Sequence, residues 1–162
     1  MEFDFSKYPI CDTDIWVNIC LADLHSRLFA KYEKLVFADV VEGEIMAWNK
    51  NPDFSFIAEN FDSYKKHGEI FVIQHDVHIY EEDRKILETT LYQLGFQIDF
   101  KNQPPEKNKG EFVSAIYADH FGIPLMQSND GAFQEGGRGR VEFPDLRIKN
   151  WFLLPGSSNG RS

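Results

Sequence analysis

Four carboxylates stand where an α/β chain would draw side chains together. Asp12 directly follows the apolar run 8–11, and Asp130 follows the run 123–127 in the same way. Glu44 lies on the first turns of the helical stretch after the apolar run 35–38, and Glu111 opens the helical stretch leading to Asp130. A carboxylate near a helix N-terminus is favoured by the dipole and by free backbone N–H groups. If the apolar runs are parallel strands, all four acids converge on one rim of the sheet from distant segments. Four ionised carboxylates in one place repel one another unless protons or cations compensate. Hard divalent cations, Mg2+ or Mn2+, take oxygen ligands and keep several waters. Such a site activates a water and stabilises a phosphate oxygen during in-line displacement, so metal-assisted phosphodiester cleavage is the chemistry implied. Taken singly, each acid is equally well explained as one of 26 acidic residues on a solvated surface. Asp14 and Asp39 also suit helix N-caps.

The elements that must hold these acids alternate along the chain. Apolar runs at 8–11, 35–38, 69–73, 96–100 and 123–127 read as strands. Helices are expected over 14–32, 40–48 (capped by Asp39), 53–66, 81–94 and 111–120, with Gly68, Gly95 and Gly122 at their ends. Residues 102–109 and 134–140 read as polar loops, and 155–162 as a frayed tail after a single domain over 1–154. Strands separated by helices predict an α/β fold, a mainly parallel sheet with helices on both faces.

The chain has 162 residues, 43% hydrophobic and 15% aromatic, which is the composition of one globular domain with a substantial core. No apolar run is long enough for a membrane-spanning helix, and the first residues lack the pattern of a signal peptide. Cys11 and Cys20 have neither a disulfide framework nor zinc-ligand spacing. They read as small buried hydrophobes in a cytoplasmic protein. The net charge of −9 excludes a protein that simply coats nucleic acid. It leaves open an enzyme whose acids hold cations. The excess is uneven: residues 131–162 carry three acids against five bases.

Several segments resemble the motifs of PIN domains, the VapC-like metal-dependent ribonucleases. Residues 10–16 (Ile-Cys-Asp-Thr-Asp-Ile-Trp) are similar to the family's opening strand, acid and apolar helix. Residues 39–45 (Asp-Val-Val-Glu-Gly-Glu-Ile) resemble the second motif, with Glu44 as its acid. Residues 110–118 (Gly-Glu-Phe-Val-Ser-Ala-Ile-Tyr-Ala) resemble the third, and residues 128–133 (Ser-Asn-Asp-Gly-Ala-Phe) the last. The resemblance spans residues 8–133. It implies a three-layer α/β/α sandwich and a Mg2+- or Mn2+-dependent endoribonuclease. Asp12, Glu44, Glu111 and Asp130 would be the catalytic and metal-holding acids, with Thr13 and Ser128 hydrogen-bonding around them. It further implies an RNA substrate, a toxin's role with an antitoxin protein as partner, and a homodimer. The chain departs from the pattern at Asp14, where the family usually has Asn, and at Glu111, where many members have Asp. It also carries extra residues between Asn49 and Asp99, which sets it apart from a compact toxin.

Other features carry less. Lys107, Lys109, Arg138 and Arg140 flank the acidic motifs and are candidate RNA phosphate contacts, or plain solvated residues. His75 and His78 sit three apart in an expected loop, where a metal role is disfavoured. Trp16, Trp48 and Trp151 are candidate stacking platforms; the helical positions of Trp16 and Trp48 point rather to the core. Asp12-Thr13-Asp14 also has the Asp-x-Asp form of haloacid-dehalogenase-like phosphatases, with Asp12 as nucleophile. A non-catalytic PIN-fold interaction module is the third alternative.

Overall fold

All four residues of Leu35–Ala38 are buried, the pattern of a strand covered on both faces. In the computed structural model, which describes residues 3–96, 109–128 and 147–149, this strand (β2) lies between Ile10–Cys11 (β1) and Ile70–Ile73 (β3). Leu125–Gln127 (β4) pairs with the other side of β1, and Arg147–Lys149 (β5) pairs with β4. The order is β3-β2-β1-β4-β5, and every pairing is parallel. Cys11 is in register with Phe37 and with Gln127. Residues following β1 and β4 therefore emerge at one level of the same rim.

The helices are Thr13–Ala22 (α1), His25–Tyr32 (α2), Asp39–Met46 (α3), Phe56–Lys66 (α4), His75–His78 (α5, a single turn), Glu81–Gln93 (α6) and Lys109–Phe121 (α7). A 3-10 turn, Ala47–Lys50, continues α3. The chain steps outward from β1 to β3 and then returns to β4. With right-handed crossovers, that path puts α1 and α4 on one face of the sheet and α7 on the other, with α3 touching both α4 and α7. Packing agrees: α4 lies on β3 and touches α1 and α3, while α7 lies on β1, β2 and β4. The fold is a three-layer α/β/α sandwich with the switch point between β1 and β4. Trp16 anchors one layer. It is 0% exposed, donates its indole N–H to the Ile57 carbonyl at 3.0 Å, and stands edge-on to Phe37 and Phe61.

Three local features differ from the sequence expectation. The helix expected over 14–32 breaks at Asp23, which adopts φ 55 and donates its N–H to the carbonyls of Cys20 and Ile19. Aspartate enters the left-handed region more readily than most residues, so it closes α1 without a glycine. His75 and His78 sit in a helical turn rather than a loop. Strand β5 was not anticipated, because its sequence Arg-Ile-Lys has too little apolar pattern. Of the strand expected at 96–100 only Phe96 is described, outside any strand, and of the loop expected at 102–109 only Lys109, which opens α7; the rest of both, the loop at 134–140 and the tail lie outside the described residues. Among the described residues no helix is long and apolar enough to cross a membrane.

Both cysteines are free and buried. Burial pushes the Cys20 thiol up to about 12 and raises that of Cys11 well above its ordinary value. Little thiolate exists at neutral pH, and thiolate is the reactive form. A thiol reagent such as DTNB is expected to titrate neither cysteine in the native protein and both after denaturation. Prompt native-state reaction would contradict this packing.

Candidate active site

Asp12 is fixed from two directions. Its N–H donates to the Gln127 carbonyl of β4 at 3.1 Å, and its Oδ1 accepts from the Ile15 N–H at 2.9 Å. The side chain is thus the N-cap of α1, held where the helix leaves the sheet, and it is fully buried. Thr13, the next residue, donates its hydroxyl to Glu44 Oε1. That bond joins α1 to α3 at the rim.

The start of α7 closes on the same carboxylate. A Cβ on Gly110 would lie 2.7 Å from Glu44 Oε1 and 3.2 Å from Val41 Cγ2, so the helix start lies directly against the carboxylate, whose end would have to shift for any larger residue. The neighbouring Lys109 is only 3% exposed and presents its charge to Glu44. Burial raises the Glu44 carboxyl above its ordinary range, and the charge of Asp14 adds to this; the Thr13 hydroxyl and Lys109 oppose it without cancelling it. Glu111 is 8% exposed in the first turn of α7, and Ser128 is buried just beyond β4.

The structure therefore gathers Thr13, Asp14, Glu44 and the Lys109-Gly110-Glu111 turn beside the end of β1. Asp14, expected to cap the helix, lies instead inside the first turn of α1 and is exposed, because Asp12 takes the cap. Asp130, Lys107, Arg138 and Arg140 lie outside the described residues. Among the described residues, no three His, Cys, Asp or Glu side chains stand close enough to hold a metal ion. Donor chemistry is nonetheless that of a hard cation: Asp12, Glu44 and Glu111 offer carboxylate oxygens and no sulfur or imidazole. The side-chain amide of Gln127, at the end of β4, is buried with neither polar atom hydrogen-bonded among the described residues.

A second polar cluster was not expected. Asp39 follows β2 as Asp12 follows β1, but it lies inside the first turn of α3, whose N-cap is Ala38. Its Oδ1 accepts from the Val40 N–H at 2.9 Å and from the Tyr117 hydroxyl at 3.0 Å. Its Oδ2 accepts from the His75 N–H at 2.8 Å. One carboxylate thus ties together the starts of α3 and α5 and the middle of α7. His75 Nε2 in turn meets Glu88 Oε2 of α6 at 2.8 Å, and its ring is stacked on Tyr117. Burial, with Asp39 close by, raises the Tyr117 phenol and keeps it a proton donor. The signal available in the sequence was position: a polar residue close behind each strand.

Glu44 gives a pH-dependent prediction. Its carboxyl is raised in the folded chain, so the fold favours the protonated form. That preference stabilises the protein below the unfolded-chain pKa of roughly 4.3 and is lost as pH rises through the folded value. Glu44→Gln keeps an acceptor for Thr13 and removes the charge. The variant is expected to melt at a higher temperature than wild type near pH 7, with the gain vanishing toward pH 4. Equal melting temperatures across that range would show that Glu44 carries no such load.

No protein-family model matches the chain, and no curated protein matches it. Among solved structures, the chain is similar to one in the crystal structure of VapBC2 from Rickettsia felis bound to a DNA fragment from their promoter. The TM-score is 0.54 at 14% identity, over 89% of this chain and 98% of that one. At that identity the likeness establishes the shared fold.

Proposed function

We propose that the protein is a PIN-like endoribonuclease dependent on Mg2+ or Mn2+. The observation that carries the reading is the meeting of three segments at the end of β1: capped Asp12, the Thr13–Glu44 bond, and the α7 start whose Gly110 lies against the Glu44 carboxylate. Three sequence-distant segments spend specific residues on placing carboxylates at a parallel-sheet rim. Asp12, Glu44, Glu111 and Asp130 would hold the cation. When bound, it would supply an activated water and charge stabilisation for the phosphate. Thr13 orients Glu44 by its hydroxyl. Lys109 offsets negative charge beside that carboxylate. The cap bond keeps Asp12 from turning away from the rim.

The phosphatase alternative is less well served. A nucleophilic Asp12 must swing an oxygen onto a phosphorus atom, whereas this carboxylate is held in the cap of α1 by the Ile15 N–H. The fold shared with VapBC2 supports a toxin's role and a protein partner, although the segment between Asn49 and Asp99 is larger than a compact toxin needs. The test is an end-labelled single-stranded RNA incubated with the purified chain in Mg2+, Mn2+ or EDTA. Cleavage with a divalent cation and none with EDTA is expected. No cleavage with either metal, or cleavage indifferent to EDTA, rules the reading out.

A further inference from the structure

Glu44 also forms the wall of an open groove of about 480 Å3, lined by Ala47, Trp48, Lys50, Asn51 and Pro52. Trp48 comes one helical turn after Glu44, the spacing that puts two residues on one side of a helix. One part of its ring packs on the core. Phe54 braces it edge-on, with centroids 6.0 Å apart at 81°, and Phe54 is itself 38% exposed. Lys50 is exposed and makes no salt bridge among the described residues. Asn51 uses Oδ1 to accept from the Asp53 N–H at 3.1 Å, which leaves its amide N–H groups to donate.

A partly buried indole at the groove's edge, an ammonium and an amide donor beside a carboxylate are the parts needed to hold one nucleotide. We propose that this groove is a nucleotide subsite for single-stranded RNA, in which a base stacks on Trp48 and Lys50 meets a phosphate. The inference rests on the ribonuclease reading and names the part of the substrate beside Glu44. Single-stranded substrate follows from the geometry, because only an unpaired base offers its face to a side chain.

The experiment measures binding in EDTA by fluorescence anisotropy, with a labelled mixed-sequence 12-nucleotide RNA and an abasic oligonucleotide of equal length. Trp48→Ala is expected to weaken RNA binding about tenfold and to leave the abasic control within about twofold. Trp48→Phe, which keeps a ring and the packing, is expected to stay close to wild type. Lys50→Ala should weaken both oligonucleotides alike and flatten the salt dependence. RNA binding indifferent to Trp48, the result if the groove takes a protein segment instead, overturns the proposal, as does equal loss for the abasic control. Cleavage assays separate the two claims. Divalent-dependent cleavage with binding indifferent to Trp48 removes the subsite and leaves the nuclease. Trp48-dependent binding with no cleavage in any metal leaves the subsite and removes the nuclease.

Discussion

Asp12→Asn is expected to lower divalent-dependent RNA cleavage by about a thousandfold or more while the protein stays folded. The size follows from the chemistry: a metal site contributes several kcal/mol of charge stabilisation, and each 1.36 kcal/mol is about tenfold in rate. The choice of Asn follows from the structure. Asp12 Oδ1 caps α1 through the Ile15 N–H, and an Asn oxygen caps equally well. The substitution thus removes the charge and keeps the cap. Asp12→Ala would remove both, adding about 1 kcal/mol of lost stability and confusing the two causes. Rates are to be compared in Mn2+ alongside thermal melts of each protein. An Asn variant that melts normally and cleaves within tenfold of wild type would take Asp12 out of the mechanism.

Asp39→Ala is expected to cost about 3–5 kcal/mol of folding stability, the largest effect foreseen for a side chain away from the Asp12 rim. Three donors lose their acceptor together: the N–H groups of Val40 and His75 and the hydroxyl of Tyr117. Each buried donor left without a partner costs about 1–3 kcal/mol, and relaxation recovers part of the total. Tyr117→Phe removes one donor along with the need for it, so its cost should be nearer 1 kcal/mol. Combining the two should cost less than their sum, since the phenol no longer needs satisfying in the double variant. Urea titration reads all three. A loss below about 1 kcal/mol for Asp39→Ala would mean that water or a neighbour takes over the carboxylate's bonds.

The contrast between Asp12 and Asp39 shows how far the sequence could be read. Both follow a buried apolar run, and both suit a helix start. Pattern placed Asp12 at the end of β1, but the cap of α1 that it offered was Asp14, and the structure gives that role to Asp12. Asp39 instead bonds across to Tyr117 and His75, residues far along the chain. Only the return of α7 across the sheet brings those partners near, and no local spacing encodes that. The same holds for Glu44. Its place on a helix after β2 was legible, but the approach of Gly110 to it is a contact between distant segments. Parallel topology was legible because strands separated by helices allow little else. The break at Asp23 was not, because the apolar period continues through it while one backbone conformation changes. β5 was missed because a three-residue edge strand with two charged residues carries almost no periodic signal.

The strand order also sets when the site comes into being. β1, β2 and β3 are neighbours and emerge from the ribosome in that sequence, with Asp12 and Glu44 already made. The carbonyl that receives the Asp12 N–H belongs to Gln127 of β4, and the turn that closes on Glu44 begins α7. Both arrive after β3, α5 and α6 have been synthesised. Until α7 and β4 are made and dock, a chain in translation lacks the Gln127 carbonyl and the α7 turn that complete the rim around Asp12 and Glu44.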